Sequence, residues 1–172
     1  MLGIVKFNFL IFLTCVSLSN NCKEFVEVKL WGGCYSIKYT NELNISGAGL
    51  SGKIPIEIAK LVNLQIIDLS NNRLSGSIPK EIGELKNLFK LDLSSNMLSG
   101  AIPLEIGSLV KLNSLRLFSN NLIGPIPAEI GNLEDLEFLF LHNNLLDKKI
   151  PIEVIKLKSM KYSNLGNSSI VD

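Results

Sequence analysis

The sequence has few of the residues that build catalytic, metal and cofactor sites. Its 172 residues include three cysteines and a single histidine, His142, and no motif places a serine or cysteine nucleophile beside that histidine. Protein metal sites draw on clustered histidine and cysteine side chains, and covalent catalysis needs a nucleophile within reach of a base. We therefore expect no enzyme, no metal site and no cofactor.

The sequence also lacks an excess of charge of one sign, and it has no long apolar run beyond the amino-terminal segment. The formal net charge is +1, and lysine and glutamate are mixed along the chain, whereas a nucleic-acid partner calls for a clustered basic surface. No stretch of about 20 apolar residues, the length of a transmembrane helix, is present, and the kinase signatures H-R-D and D-F-G are missing. We expect no nucleic-acid partner, no transmembrane segment in this chain and no signalling across a membrane by this chain alone.

One 24-residue pattern dominates what is present. It is written four times without a gap between Leu61 and Lys156, and partial copies occupy residues 37–60 and 157–172. Each full copy reads L-x-x-L-x-x-(L/I)-x-L-x-x-N-x-L, followed by a polar or glycine-containing segment and by I-P-x-E-(I/V). A fixed period of this length predicts a solenoid of stacked coils.

The chemistry of one copy predicts the shape of a coil. An alternation such as Ile67-Asp68-Leu69 places two apolar side chains on one face of a short strand. The asparagine that follows, for example Asn72, can bond the backbone of the turn inside the coil, and the proline of the I-P step prevents a hydrogen-bonded ladder from continuing. Because one copy cannot bury enough apolar surface alone, we expect copies to stack and their strands to pair in parallel.

The repeats carry a family resemblance. The tract from Leu88 to Ile106 reads L-F-K-L-D-L-S-S-N-M-L-S-G-A-I-P-L-E-I, and the signature L-S-G-x-I-P begins at Leu50, Leu74 and Leu98. This sequence resembles the plant-specific leucine-rich repeat of receptor-like kinase and receptor-like protein ectodomains. The resemblance implies an α/β repeat solenoid, a right-handed superhelix with a concave parallel β-sheet and a convex side of 3-10 helices and loops.

The first 19 residues have the pattern of a secretory signal peptide. Lys6 is the only positive charge, an apolar run extends from Phe7 to Leu18, and small residues follow near the expected cleavage at Ser19 or Asn20. A membrane anchor is the alternative interpretation. However, about 12 helical residues span about 18 Å, which is short of a bilayer core of roughly 30 Å.

Two cysteines, Cys22 and Cys34, remain after such a cleavage. An even number in a secreted chain indicates a disulfide. The segment from Trp31 to Cys34, W-G-G-C, resembles the end of the plant family's amino-terminal cap, in which a cysteine pair and a tryptophan seal the first coil. We predict a short cap over residues 20–36 and leucine-rich repeats over residues 37–172.

Two glycosylation sequons begin at Asn44 and Asn167. Asn44 lies in the first predicted strand, so a glycan there would cover the beginning of the sheet. We expect a secreted protein of the apoplast, or a location at the plasma membrane if the chain is a fragment of a longer receptor.

The outward positions of the predicted strands change in character along the array. They are small, acidic or neutral for the most part in the first half, whereas an arginine and five aromatic or imidazole side chains gather in the second half. Aromatic residues and arginine are enriched at binding hot spots, so we predict a partner-binding surface on the concave face. The alternative is that these side chains only cover one another or stand in for a missing carboxyl-terminal cap. The residues are Arg116, Phe118, Phe138, Phe140, His142 and Tyr162.

The resemblance implies an extracellular module that recognises a protein or peptide, such as another leucine-rich repeat ectodomain, in cell-surface signalling or defence. The alternative function is a secreted inhibitor of a cell-wall-degrading enzyme, similar to the polygalacturonase-inhibiting proteins. Those proteins normally have more repeats and caps at both ends.

Overall fold

The computed structural model describes residues 16–17, 22–23 and 26–166, which form a stack of coils with a small antiparallel sheet at its amino end. The predicted glycosylation site at Asn167 and most of the predicted signal peptide lie outside these residues. Within the described residues, no helix is both long and apolar enough to cross a membrane.

The amino-terminal sheet has the strand order β1-β3-β2 and consists of β1 (Val16–Ser17), β2 (Glu27–Leu30) and β3 (Gly33–Ser36). Trp31 and Gly32 form the two-residue turn between β2 and β3, and both have positive φ, 43° and 85°. Such a turn matches the twist of two antiparallel strands. A disulfide joins Cys22 to Cys34, whose Cα atoms are 5.4 Å apart.

This sheet caps the core through its buried side chains. Val28, Leu30 and Tyr35 pack into the same apolar cluster as the leucines of the coils, and burial raises the pKa of the Tyr35 hydroxyl. Strand β1 comes from the predicted signal peptide, and its Val16 pairs with Tyr35. Cleavage after residue 19 would remove β1 and leave the hairpin of β2 and β3, with its disulfide, in place. The cleavage itself stays a prediction.

A parallel sheet of six short strands, one from each coil, forms the concave side. Each residue pairs with the residue 24 positions farther along the chain, so that Leu91 lies between Ile67 and Leu115. The period of the sequence is therefore the register of the sheet, and the predicted solenoid is confirmed. The strands are β4 (Glu42–Asn44), β6 (Ile66–Asp68), β8 (Lys90–Asp92), β10 (Ser114–Arg116), β12 (Phe138–Phe140) and β14 (Tyr162–Asn164).

A second sheet, which the sequence pattern did not predict, runs along one flank. Its strands cover the L-S-G part of each copy, where Gly76, Gly100 and Gly124 take φ near 77°, a value that favours glycine. The strands are β5 (Ser51–Gly52), β7 (Arg73–Gly76), β9 (Met97–Gly100), β11 (Asn121–Gly124) and β13 (Leu145–Leu146).

The convex side consists of 3-10 helices, as predicted, and one α-helical turn. Gly83, Gly107 and Gly131 lie where neighbouring coils meet, and a Cβ atom on Gly107 would lie 2.3 Å from the backbone oxygen of Glu129. The glycine of the I-G step therefore permits the close stacking of the coils. The 3-10 helices are Ile56–Lys60, Lys80–Glu84, Leu104–Ser108 and Ala128–Asn132, and the α-helix is α1 (Ile152–Ile155).

The asparagines of the repeat connect adjacent coils. The Oδ1 atom of Asn120 accepts a hydrogen bond from the Leu98 amide at 2.9 Å, and its Nδ2 group donates to the carbonyls of Leu93 and Leu117 at 3.0 and 3.1 Å. Leu93 and Leu98 belong to the preceding coil. The amide therefore satisfies buried backbone groups on both sides of the junction between the coils. The same bonds are made by Asn72, Asn96 and Asn144.

Candidate recognition surface

Three columns of side chains cross the strands of the concave sheet. In the order of the coils, they contain Glu42, Ile66, Lys90, Ser114, Phe138 and Tyr162; then Asn44, Asp68, Asp92, Arg116, Phe140 and Asn164; and then Ser46, Ser70, Ser94, Phe118, His142 and Gly166. Neighbours within a column are 24 residues apart, and adjacent strands of a sheet lie about 4.8 Å apart. The six residues predicted to bind a partner therefore occupy three consecutive coils.

Charged side chains form a ladder across β6, β8 and β10. The Nζ atom of Lys90 lies 2.9 Å from Oδ2 of Asp68 and 3.9 Å from Oδ2 of Asp92. The Nε atom of Arg116 lies 4.0 Å from the same Asp92 oxygen. We call these four residues the ion-pair ladder. We did not predict a role for Lys90 from the sequence, although the repeat places it in the column next to the one that contains Asp68 and Asp92.

Serines hold the two aspartates of the ladder close to the sheet. The Oγ atom of Ser70 donates to Oδ1 of Asp68 at 2.7 Å, and that of Ser94 donates to Oδ1 of Asp92 at 2.6 Å. Both serines are buried, because their hydroxyl groups turn toward the carboxylates and are covered by their neighbours.

The pKa of Asp68 reflects two opposing effects of its surroundings. Burial alone would raise the pKa of this carboxyl group, but hydrogen bonds from Ser70 and Lys90 and the positive charge of Lys90 favour the ionised form. The net result is a pKa below the ordinary value. Asp68 is therefore held as an anion at neutral pH.

The second half of the surface is built from stacked rings, which we call the aromatic block: Phe118, Phe138, Phe140, His142 and Tyr162. The rings of Phe118 and His142 are parallel at 4.8 Å between centroids, and those of Phe138 and Tyr162 are nearly parallel at 5.6 Å. The edge of one ring meets the face of the other between His142 and Phe140, at 6.3 Å. The guanidinium group of Arg116 lies 5.4 Å from the Phe140 ring centroid, so this arginine connects the ion-pair ladder to the block.

Stacking hides part of the aromatic block. Tyr162 is 62% exposed, whereas Phe118, Phe138, Phe140 and His142 are only partly exposed. The sequence predicted an aromatic surface and also the alternative that the rings cover one another, and the geometry contains both features. The ring contacts restrict the side-chain freedom of these residues.

Asn44 is exposed at the opposite end of the sheet, on β4. Its Oδ1 atom accepts weak hydrogen bonds from the backbone and hydroxyl of Ser46, at 3.4 and 3.2 Å. Strands β6, β8 and β10 separate β4 from β12. A glycan on Asn44 would therefore leave the aromatic block open.

One group of metal-type donor atoms occurs among residues 22–23 and 26–166, formed by Cys22, Glu27 and Cys34 within 4.8 Å of one another. The two sulfur atoms form the disulfide, so they are not thiolates, the form in which cysteine binds zinc.

Comparison with known proteins defines the family. Models of the leucine-rich repeat match residues 41–98 and 111–133. The ectodomain of BIR2 from Arabidopsis thaliana is 36% identical with a TM-score of 0.63, over 73% of this chain and 71% of that chain. The chain belongs to the leucine-rich repeat family. No curated protein matches it significantly.

Other similar structures place this leucine-rich repeat protein with the plant-type repeats. The ectodomain of the receptor kinase SOBIR1 from Arabidopsis thaliana is 36% identical, with a TM-score of 0.65, over 70% of this chain and 66% of that chain. The Arabidopsis receptor kinase HAESA, in its complex with the peptide hormone IDA and the co-receptor SERK1, gives a match of 41% identity and TM-score 0.67. That match covers 76% of this chain and 22% of the matched chain. The plant-type resemblance is confirmed, and this chain corresponds to part of the length of such relatives.

Proposed function

We propose that this leucine-rich repeat protein is an extracellular recognition module. Its aromatic block and Arg116 bind a peptide or another protein, such as a second leucine-rich repeat ectodomain, in cell-surface signalling or defence. The observation that carries the proposal is the position of the stacked rings: among the residues that the structure describes, they lie on β12, β14 and the turns that follow β10 and β12, at one end of a concave sheet.

The stacking geometry suits binding for two reasons. Aromatic residues and arginine are enriched among the few residues that dominate binding energy at protein interfaces, and aromatic side chains bury a large area each. Side chains already held by stacking, such as Phe118 against His142, lose little rotamer freedom when a partner is bound. The complex that contains HAESA, IDA and SERK1 supports a protein or peptide as the partner class for this fold.

A triple substitution tests the proposal. Changing Phe118, Phe138 and Phe140 to serine removes three rings from the block, whereas the core leucines of the same strands are untouched. The matched control places three serines on the convex side instead, at Ile56, Leu104 and Ile152, each more than half exposed. Binding would be measured with a displayed random peptide library and with purified leucine-rich repeat ectodomains.

We expect the wild type and the convex control to enrich the same peptides or bind the same ectodomain, and the concave triple variant to lose binding while its far-ultraviolet circular dichroism is unchanged. Equal binding by all three proteins would contradict the proposal. Inhibition of a polygalacturonase by the wild type and the concave variant alike, without peptide or ectodomain binding, would favour the inhibitor function instead.

A further inference from the structure

In each of the four ion pairs of residues 26–166, the cation is the more exposed partner. The side chain of Lys90 is 30% exposed, against 14% for Asp68 and 8% for Asp92. Arg116 is 39% exposed above the same Asp92. Lys161 is 60% exposed, against 28% for its partner Glu137.

The ion-pair ladder is therefore neutral in sum but positive on the side that a ligand would approach. Its two carboxylates are held down by hydrogen bonds from Ser70 and Ser94. The carboxylates of Asp68 and Asp92 are therefore less exposed than the cations that pair with them. Because the electrostatic potential at a surface is set mainly by the nearest charges, the cations dominate it here.

Arg116 keeps donor groups available for a ligand. Its Nε atom faces Asp92 at 4.0 Å and donates to Ser114 Oγ at 3.4 Å, whereas the Nη groups of a guanidinium carry the other N–H donors. Lys90 and Arg116 also converge, since both lie within 4.0 Å of the same Asp92 oxygen.

Aromatic side chains on β12 lie directly beside these cations. Phe140 pairs with Arg116 across β10 and β12, and Phe138 pairs with Ser114. No acidic residue occupies an outward column position on β10, β12 or β14. A carboxylate placed over Lys90 and Arg116 would therefore have aromatic surface next to it on β12 and no acidic side chain at the outward positions of β10, β12 and β14.

From this arrangement we infer that the surface selects an acidic peptide segment, with an Asp or Glu side chain bound by Lys90 and Arg116, and an adjacent apolar side chain packed on Phe138 and Phe140. The inference rests on the proposed function and adds the chemistry of the ligand. Charge complementarity carries it, since the cations face outward and their counter-ions face the sheet.

Two variants with opposite expected effects provide the test. Peptides are first selected from a displayed random library on the wild-type protein. The peptide that binds most tightly is then synthesised in two forms, one with its acidic residues intact and one with each Asp or Glu changed to Asn or Gln. In K90Q/R116Q we expect affinity for the acidic peptide to fall by about fivefold, since an exposed charge pair contributes up to about that factor. In D68N/D92N we expect affinity to rise, because the cations lose their internal partners while the serine hydrogen bonds to Oδ1 can persist.

A rise in affinity cannot come from unfolding, so the second variant keeps the test meaningful if the first is unstable. K80Q, on the convex 3-10 helix Lys80–Glu84, is the control for loss of a positive charge. Weaker binding at 500 mM than at 50 mM NaCl is also expected, because the Debye length shortens from more than about 10 Å to a few ångströms.

The outcomes separate this inference from the proposed function. Peptides that bind through the aromatic block but show no acidic preference and no response in D68N/D92N would overturn the inference and leave the proposed function standing. Failure of every peptide and ectodomain to bind would overturn both. Binding of an oligogalacturonate, but of no acidic peptide, at Lys90 and Arg116 would overturn the assignment to a peptide.

Discussion

The Asn120→Ala substitution should be the most damaging change of a single amide in the repeats. It removes the acceptor of the Leu98 amide and the donor to the carbonyls of Leu93 and Leu117. Asn120 and all three leucines are buried, so water cannot easily replace these bonds. A buried polar group left without a partner costs about 1–3 kcal/mol.

The expected loss in the free energy of unfolding is about 2–5 kcal/mol. The Leu98 N–H loses its acceptor, whereas the carbonyls of Leu93 and Leu117 have two lone pairs each and lose less. That is a large part of a domain stability of about 5–15 kcal/mol. Urea unfolding followed by far-ultraviolet circular dichroism would measure the change in the free energy of unfolding.

Asn121→Ala is the matched control. Asn121 is the next residue in the chain and is exposed at the start of β11, so its replacement should change stability by no more than about 0.5 kcal/mol. Equal losses for the two variants would refute the argument that the amide connects the coils.

Three further predictions concern the junctions between coils, the ion-pair ladder and the glycan. Gly107→Ala should cost several kcal/mol and lower the melting temperature, because its Cβ would lie 2.3 Å from the backbone oxygen of Glu129. Ala59→Gly, at the equivalent position of the partial copy 37–60, should cost at most about 1 kcal/mol, and similar melting temperatures for the two variants would contradict this. Asp68 has a lowered pKa, so its contribution to stability is present above the ordinary value of 3.8 and is lost as pH falls through the lowered value. Asp68→Asn should therefore flatten the acid limb of a plot of unfolding free energy against pH, and an unchanged limb would show that Asp68 contributes nothing there. A glycan on Asn44 would add mass to the secreted protein, and this added mass should be lost both on glycosidase treatment and in Asn44→Gln. An unchanged mass of the wild type after glycosidase treatment would show that Asn44 carries no glycan.

The period of the sequence was enough to predict the coils and the parallel register. Residues 24 apart repeat one local chemistry, so the phase of Leu91 or Leu115 follows from any other copy. The asparagine position was also predicted to bond backbone, because a buried amide must find partners. The sequence did not show that Asn120 bonds two coils at once, since that depends on how closely neighbouring turns approach.

The state of the outward side chains was harder to predict. Ser94 is buried because it bonds Asp92, and Phe118 is partly covered because His142 stacks on it. These contacts join residues two or 24 positions apart. A strand pattern predicts the face of the sheet on which a side chain lies, but not the rotamer that it adopts. The second sheet was missed for a related reason: the L-S-G segment lacks the alternation that identifies a strand, and β11 forms by pairing with neighbouring coils.

Recognition by the aromatic block is tested by one peptide selection run in parallel on the wild-type protein and on the variant with Phe118, Phe138 and Phe140 changed to serine. We expect the wild type to enrich acidic peptides with apolar neighbours and the variant to enrich none above background. Enrichment of the same peptides by both proteins would show that the concave aromatic surface is not where this protein recognises its partner.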